Sequence, residues 1–175
     1  IETSGCLPMC GHGTIGAVTI AIEEKIIKPK VNGKLKIETP AGVIEVDYLY
    51  KDGKVKWVEL TNVESYLCEE NLNILSNDLG EIIFDVSYGG NFYAIVDYQK
   101  NFSGIQDYSV SDIIKYSQEI RKKINHKYPN KFIHPIDPTI RDVSHILWVG
   151  NKINESSSSR NAVFFGVGVE GNVES

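Results

Sequence analysis

Two short turns, each flanked by segments rich in β-branched and aromatic residues, restrict the fold of this chain most strongly. One turn is Asp52-Gly53 and the other is Gly89-Gly90-Asn91. Turns built from Asp, Asn and Gly between such segments are typical of β-hairpins, because these residues adopt the positive φ angles that tight hairpins need. The sequence therefore predicts four strands in two antiparallel pairs, at residues 43–50, 55–60, 81–88 and 92–98.

The clearest helical pattern covers residues 111–125, where isoleucines recur at helical spacing and Lys and Arg are expected on the outside. Ser109 or Ser111 is expected to cap this helix. A second helix is predicted at about residues 14–27, stopped by Pro29. The remaining predictions are strands at 34–38, 143–149 and 161–167, a short extended piece at 63–68 before an Asn-rich loop, and a loop at 129–138. This order of strands, helix and strands indicates the α/β (α+β) class.

Composition excludes several classes of function. The 175 residues carry a formal net charge of −5, which argues against a nucleic-acid-binding surface. No apolar run approaches the roughly 18 residues that span a bilayer, so no membrane segment is predicted. The three cysteines are an odd number at low density, which favours a reducing compartment, and we expect a cytoplasmic protein. Cys6 and Cys10 lack the second pair or His cluster of a zinc site.

The stretch Met9-Cys10-Gly11-His12-Gly13-Thr14 precedes the first predicted helix and carries the strongest chemical signal. A thiol at a helix N-terminus meets unpaired backbone N–H groups and the positive end of the helix dipole, which stabilise a thiolate and attract anions. The glycines leave room for a small anionic ligand, and His12 adds a donor. This arrangement suits removal of a proton from a carbon beside a carboxylate that the helix N-terminus holds. We therefore expect the Cys10 thiol to carry the chemistry.

Other functional patterns are weaker. A cysteine protease needs a separate His and an orienting Asn or Asp, and the sequence does not indicate whether His126, His134 or His145 approaches the thiol. His145 lies in an apolar strand, where a lone histidine is usually structural. His134 and His126 fit a loop and a helix end. Cys68 has no partner pattern and is expected to be a small buried side chain. Gly89-Gly90 lacks the spacing of a dinucleotide-binding loop.

Five stretches together resemble the proline racemase family, which includes hydroxyproline 2-epimerases and trans-3-hydroxyproline dehydratases. They occur in the family's order and span nearly the whole chain. Gly-Thr after Cys-Gly-His is closer to the hydroxyproline-type members. The stretches are residues 9–19 (MCGHGTIGAVT), 38–42 (ETPAG), 58–66 (VELTNVESY), 88–96 (YGGNFYAIV) and 159–163 (SRNAV).

The resemblance implies a diaminopimelate-epimerase-like fold of two α/β lobes, each offering one cysteine at a helix N-terminus. Residues 1–33 would be a remnant of the N-terminal lobe that carries the Cys10 helix, and residues 34–175 the second lobe without its closing segment. In such enzymes one thiolate removes the Cα proton of proline or a hydroxyproline, and the other thiol protonates the opposite face. This chemistry uses neither pyridoxal phosphate nor a metal, so no cofactor is expected.

By the same resemblance, individual residues take roles toward a small-molecule substrate. Cys10 would be the proton acceptor, and Gly11 and His12 would contact the substrate carboxylate. His145 falls where the family places a substrate-binding histidine, and this replaces the structural interpretation of that residue.

The chain departs from the family after Gly166. Gly171 stands in register with a family Asp and Ser175 with the second cysteine, but the residues around them do not match. This predicts a frameshifted, truncated or partially interpreted chain that holds one base, most of the second lobe and part of the first. Two alternatives to a racemase or epimerase stay open: a trans-3-hydroxy-L-proline dehydratase, and an inactive member that at most binds a small carboxylate. A homodimer is also left open, and uncovered apolar faces predict aggregation or dependence on a partner copy.

Overall fold

The structure, a computed structural model, describes residues 6–165 and the backbone of residues 172–174. Its helices are α1 (Gly11–Glu23) and α2 (Val110–Lys127), with a 3-10 turn at Ile105–Asp107. Neither described helix combines the length and the hydropathy of a membrane-spanning segment. The strands are β1 (Lys34–Thr39), β2 (Gly42–Lys51), β3 (Lys54–Thr61), β4 (Tyr66–Ser76), β5 (Gly80–Tyr88), β6 (Phe92–Val96), β7 (His145–Gly150), β8 (Arg160–Phe165) and β9 (Asn172–Glu174).

The chain divides into two compact units. The N-terminal unit is Leu7–Glu64 and holds α1 and β1 to β3, and the C-terminal unit begins at Ser65 and holds the remaining elements. The boundary predicted between residues 33 and 34 therefore lies inside the N-terminal unit, between α1 and β1. The assignment of these units to the two lobes of the family fold stays a prediction.

In the N-terminal unit, α1 packs against an antiparallel meander with strand order β1-β2-β3. The end of the helix is fixed by Glu23, whose carboxylate accepts hydrogen bonds from Val55 N at 2.8 Å and Lys54 Nζ at 2.7 Å. These contacts join α1 to the first residues of β3. The small core of the unit consists of Met9, Val18, Ile22, Ala41, Ile44, Val46 and Tyr48.

Both predicted hairpins are confirmed. Asp52 and Gly53 have φ angles of 54° and 76°, the pair of positive values that a two-residue turn of type I′ requires. In the second hairpin Gly89 N donates to Asn91 O at 3.1 Å, and Gly90 has a φ of 95°. A glycine at that position avoids the steric penalty that a Cβ atom meets in this conformation.

In the C-terminal unit the sheet has the order β4-β5-β6-β7-β8-β9, and α2 packs on it. Every adjacent pair is antiparallel except β6 and β7, which run parallel because the connection between them crosses over through α2. The predicted Ser109 cap is confirmed: its hydroxyl accepts from Asp112 N, and the Asp112 carboxylate accepts from Ser109 N. Ile113, Ile120 and Ile124 form the buried stripe of the helix.

The predicted Asn-rich loop after residue 68 is wrong, because β4 continues to Ser76. Asn73 pairs with Ile83 in the ladder with β5, and Asn71 is accommodated at an irregularity with a φ of 55°. The Asn73 carbonyl accepts a hydrogen bond from Lys127 Nζ at 2.8 Å. Neighbouring elements therefore supply the hydrogen-bond partners that keep this segment in a strand, although its local composition favours a loop.

The first helix differs from the prediction at both ends. It begins at Gly11 rather than near residue 14, and it ends at Glu23 rather than near residue 27. Lys25 adopts a φ of 56°, the left-handed conformation that commonly ends a helix. Ile26 and Ile27 therefore lie beyond the helix and are exposed.

Candidate active site

Cys10 is the N-cap residue of α1. Its backbone is extended, with φ −140° and ψ 112°, and its Sγ accepts a hydrogen bond from Gly13 N at 3.4 Å. The Cys10 carbonyl accepts from Thr14 N at 3.0 Å and from Thr14 Oγ1 at 2.9 Å. The thiol is exposed, so the structure places it at the helix N-terminus that the sequence predicts and leaves it open to solvent.

Gly13 lies beside the sulfur. A Cβ atom built at Gly13 would lie 3.4 Å from Cys10 Sγ, whereas one built at Gly11 meets no atom within 4 Å. Glycine at position 13 thus keeps a methyl group out of contact with the thiol. Gly11 and His12 form the first turn of α1, at the positive end of the helix dipole. An anion can approach this end of the helix and is favoured there by the helix dipole.

His145 opens β7 in the C-terminal unit and is only 5% exposed. Its Nδ1 lies 2.7 Å from Ser144 Oγ. Aromatic rings on the two neighbouring strands flank it: Tyr93 of β6 stacks at 4.6 Å between ring centroids, and Phe165 of β8 lies at 6.2 Å. Burial, assisted by the positive charge of Arg121, lowers the pKa of His145 to about 4. The ring is therefore neutral at physiological pH.

Arg121 and Ser144 are missed by the sequence reasoning. The helical pattern predicts Lys and Arg on the outside of α2, but Arg121 is half-buried, and its Nη1 donates to Ser144 O at 3.1 Å. Its guanidinium lies 4.9 Å from the ring centroid of Phe164, and burial lowers its pKa. The four-residue spacing from Ile113 through Ser117 to Arg121 is the signal that could have placed it on the sheet side.

Two further histidines and Cys68 lie in surroundings typical of structural residues. His134 Nδ1 accepts from Asp137 N at 3.1 Å and so stabilises the loop around it. His126 lies in the last turn of α2. Cys68 is half-buried, and burial raises the pKa of its thiol. Within the described part of the chain, no group of three or more His, Cys, Asp and Glu side chains is placed to hold a metal ion.

The predicted site residues are thus distributed over both units. Cys10, Gly11 and His12 are adjacent at the start of α1, and His145 lies in the C-terminal unit. The comparison of Gly171 and Ser175 with a family Asp and Cys falls outside the described residues.

Two curated proteins are similar over most of this chain. The 4-hydroxyproline 2-epimerase of Spirosoma linguale is 52% identical over 166 residues, which is 95% of this chain and 49% of that protein. The 4-hydroxyproline 2-epimerase 2 of Brucella anthropi is 50% identical over the same number of residues and the same shares. The chain therefore spans about half the length of the curated relatives it matches.

Solved structures confirm the α+β fold. A probable proline racemase from Agrobacterium radiobacter, solved with bound carbonate, superposes with a TM-score of 0.80 at 24% identity, covering 98% of this chain and 49% of that one. A hydroxyproline epimerase from Agrobacterium vitis, solved with bound trans-4-hydroxy-L-proline, gives 0.79 at 24% identity, covering 96% and 47%. The family model described as proline racemase matches residues 1–169. This chain belongs to the proline racemase family.

Proposed function

We propose that this chain is part of a cofactor-independent epimerase or racemase that inverts Cα of a hydroxyproline or of proline, with Cys10 as the proton acceptor. The observation that carries the proposal is the exposed thiol at the N-cap of α1 in a chain about half identical to proteins named 4-hydroxyproline 2-epimerase. The substrate is a small imino acid whose carboxylate makes its Cα proton removable.

Substrate binding places the carboxylate at the N-terminus of α1. The first-turn amides and the helix dipole there favour a negative charge, and Gly11 and His12 contact the carboxylate. By resemblance to the family, His145 is proposed as a substrate-binding residue. The exposed Cys10 thiol then meets the hydrogen on Cα.

The chemical step is a proton transfer. The Cys10 thiolate forms an S–H bond as the Cα–H bond breaks, and the electron pair is delocalised into the carboxylate. The helix N-terminus stabilises the charge that develops on those oxygens, which is where electrostatic stabilisation lowers the barrier. In the family a second thiol then protonates the opposite face. Exchange of the Cα proton and inversion of the centre are therefore two separate readouts.

The location and assembly of the protein are also part of the proposal. All three cysteines carry free thiols, which fits a reducing compartment such as the cytoplasm. A homodimer would cover the exposed Ile15 and Ile20 side chains of α1.

Proton exchange in D₂O tests the proposal. The chain is incubated with trans-4-hydroxy-L-proline, and loss of the Cα proton signal is followed by NMR, while chiral chromatography follows inversion separately. We expect exchange that disappears in Cys10→Ala and persists in Cys6→Ala, a matched removal of another exposed thiol. Exchange that survives in Cys10→Ala would contradict the proposal.

Two other outcomes identify the alternatives. A pyrroline product from trans-3-hydroxy-L-proline would indicate the dehydratase. No exchange with L-proline or either hydroxyproline would indicate an inactive member, in which pyrrole-2-carboxylate, a planar mimic of the carbanion, still serves as a probe of binding.

A further inference from the structure

We propose that four side chains at the C-terminal end of α2 cover the outer edge of β4, so that a strand of a second copy of the chain cannot pair with it. These side chains, which we call the edge cover, are Glu119, Lys123, Lys127 and Tyr128. The inference lies within the C-terminal unit and is independent of the proposed function, because it concerns association of the chain and uses no residue of the candidate active site.

The edge of β4 has backbone groups that need partners. Among the described strands, β4 is the outermost on one side of the six-stranded sheet and pairs with β5. In an antiparallel edge strand, every second residue directs its N–H and C=O away from the sheet. A row of such groups is a template for the addition of a strand from another chain. In β4 this outward row includes Asn73 and Leu75, and Asn77 follows just beyond the strand.

The edge cover meets the outward groups of β4 with partners of the matching kind. Lys127 Nζ donates to Asn73 O at 2.8 Å. The Tyr128 hydroxyl donates to the same oxygen at 2.9 Å and accepts from Asn73 N at 3.4 Å. Lys123 Nζ donates to Leu75 O at 2.6 Å. Carbonyls are thus met by donors and an amide by an acceptor, as a neighbouring strand would meet them.

Glu119 completes the edge cover at the end of β4. One of its carboxylate oxygens accepts from Asn77 N at 2.7 Å, and the other accepts from Ser76 Oγ at 2.9 Å. Lys123 Nζ lies 2.7 Å from the Glu119 carboxylate and also donates to Asn77 Oδ1 at 2.8 Å. The ion pair therefore holds the two side chains in place over the edge.

The spacing of the helix matches the spacing of the strand. Glu119, Lys123 and Lys127 are four residues apart, which places them on one face of α2 at steps of about 6 Å. Every second residue of an extended strand advances by about 6.8 Å. As α2 advances from residue 119 to 127, its contacts run backward along the edge from residue 77 to 73. The helix therefore takes the place of an antiparallel neighbouring strand.

A strand of a second copy is the partner that this edge would otherwise fit. Residues 71–77 (NLNILSN) contain no charged side chain and no proline. Two copies of this segment would therefore meet without the like-charge repulsion that opposes pairing of other edges, and an uncharged extended segment of this kind favours strand association. The side chain of Leu75 is 70% exposed, so it is available to a second strand. Antiparallel pairing of β4 with β4 would also satisfy the two-fold symmetry of a dimer.

Binding of a peptide copy of β4 tests the edge cover on the 175-residue chain. The probe is a fluorescein-labelled peptide of residues 71–77, and binding is followed by fluorescence anisotropy. Lys123→Met/Lys127→Met removes both ammonium donors and keeps the length and apolar stem of each side chain. We expect this variant to bind the peptide at least about tenfold more tightly than the wild type, because two carbonyls become open to the amides of the peptide.

Controls separate strand addition from a general effect of the substitutions. Lys122→Met/Lys152→Met removes two exposed lysines outside the edge cover and should bind the peptide as the wild type does. A peptide methylated on every internal peptide nitrogen cannot donate backbone hydrogen bonds and should not bind. In the Lys123→Met/Lys127→Met variant, the unmethylated peptide should slow amide hydrogen exchange at Asn73 and Leu75.

The proposal is overturned if a folded Lys123→Met/Lys127→Met variant binds the peptide no more tightly than the wild type, or if the methylated peptide binds that variant equally well. The single variants keep the test decisive if the double variant does not fold. Each loses one donor to β4 and should bind about threefold more tightly than the wild type, and unchanged binding in both would also overturn the proposal.

Discussion

At the N-cap of α1, the Cys10 thiol is a weak cap for the helix but the proposed base for the reaction. Two substitutions separate these two roles. Sulfur is a weak acceptor, and Cys10 Sγ lies 3.4 Å from Gly13 N, well beyond the distance of an N–H···O bond. Serine places a stronger acceptor at the same position, whereas alanine removes the cap. Cys10→Ser should therefore stabilise α1, and Cys10→Ala should weaken it. Both should lose Cα proton exchange, because neither side chain forms a thiolate.

The magnitude follows from the geometry of the cap. Replacing a serine N-cap by alanine typically lowers helix stability by about 1 kcal/mol. Cys10→Ser and Cys10→Ala should therefore differ by about that amount, with the wild type between them. A difference of about 1 kcal/mol corresponds to roughly fivefold in the equilibrium for opening the helix.

Amide hydrogen exchange measures this equilibrium at the helix itself, which avoids averaging over two compact units. The amides of Val18 and Ile22, the buried residues of α1, report on it. We expect exchange about fivefold slower in Cys10→Ser than in Cys10→Ala. Cys6→Ala lies outside the helix and should leave both amides unchanged.

Equal or faster exchange in Cys10→Ser than in Cys10→Ala would refute the reasoning, because it would mean that the side chain at position 10 does not cap α1. Cα proton exchange that persists in Cys10→Ser would refute the second half, since a hydroxyl cannot replace the thiolate as a base near neutral pH.

Three further predictions concern stability and association. The pKa of His145 is lowered to about 4 in the folded chain, and an unfolded histidine titrates near 6.5, so the unfolded chain binds the extra proton between these values. Stability should therefore fall by about 3 kcal/mol as the pH drops through this window, and urea titrations of His145→Gln should lack this slope. Ser117→Ala leaves the buried Trp148 indole N–H without its acceptor at 2.7 Å and should lower the free energy of unfolding by about 1–3 kcal/mol in urea titrations followed by tryptophan fluorescence. The exposed Ser158→Ala should be neutral in the same titrations. Ile20 is 58% exposed on α1, so Ile20→Glu should reduce self-association in sedimentation velocity; unchanged sedimentation would exclude this helix face as the contact.

Some features of the fold could be predicted because they depend on residues close in sequence. Asp52-Gly53 forms a type I′ hairpin since both residues tolerate positive φ. Ser109 caps α2 because its hydroxyl reaches an amide three residues away. The Cys10 site belongs to the same class, because a short glycine-containing segment and the following helix suffice to place the thiol at an N-terminus.

Other features could not be predicted, since their partners come from distant parts of the chain. Asn73 lies in a strand because β5 supplies its ladder partners and Lys127 bonds its carbonyl. Arg121 turns toward the sheet because the ring of Phe164 and the Ser144 carbonyl meet it there. Local composition contains none of these contacts.

The sequence by itself determined the family of this protein and the identity of its candidate base, Cys10, because a motif and its helix are local. Only the tertiary structure decided the state of His145. The parallel pairing of β6 and β7 brings Tyr93 beside the ring, and the carbonyl of Phe92 anchors Ser144 next to it. Burial there removes the positive charge from the imidazole. The pKa of a group depends on what surrounds it in space, and that is set when distant strands pair.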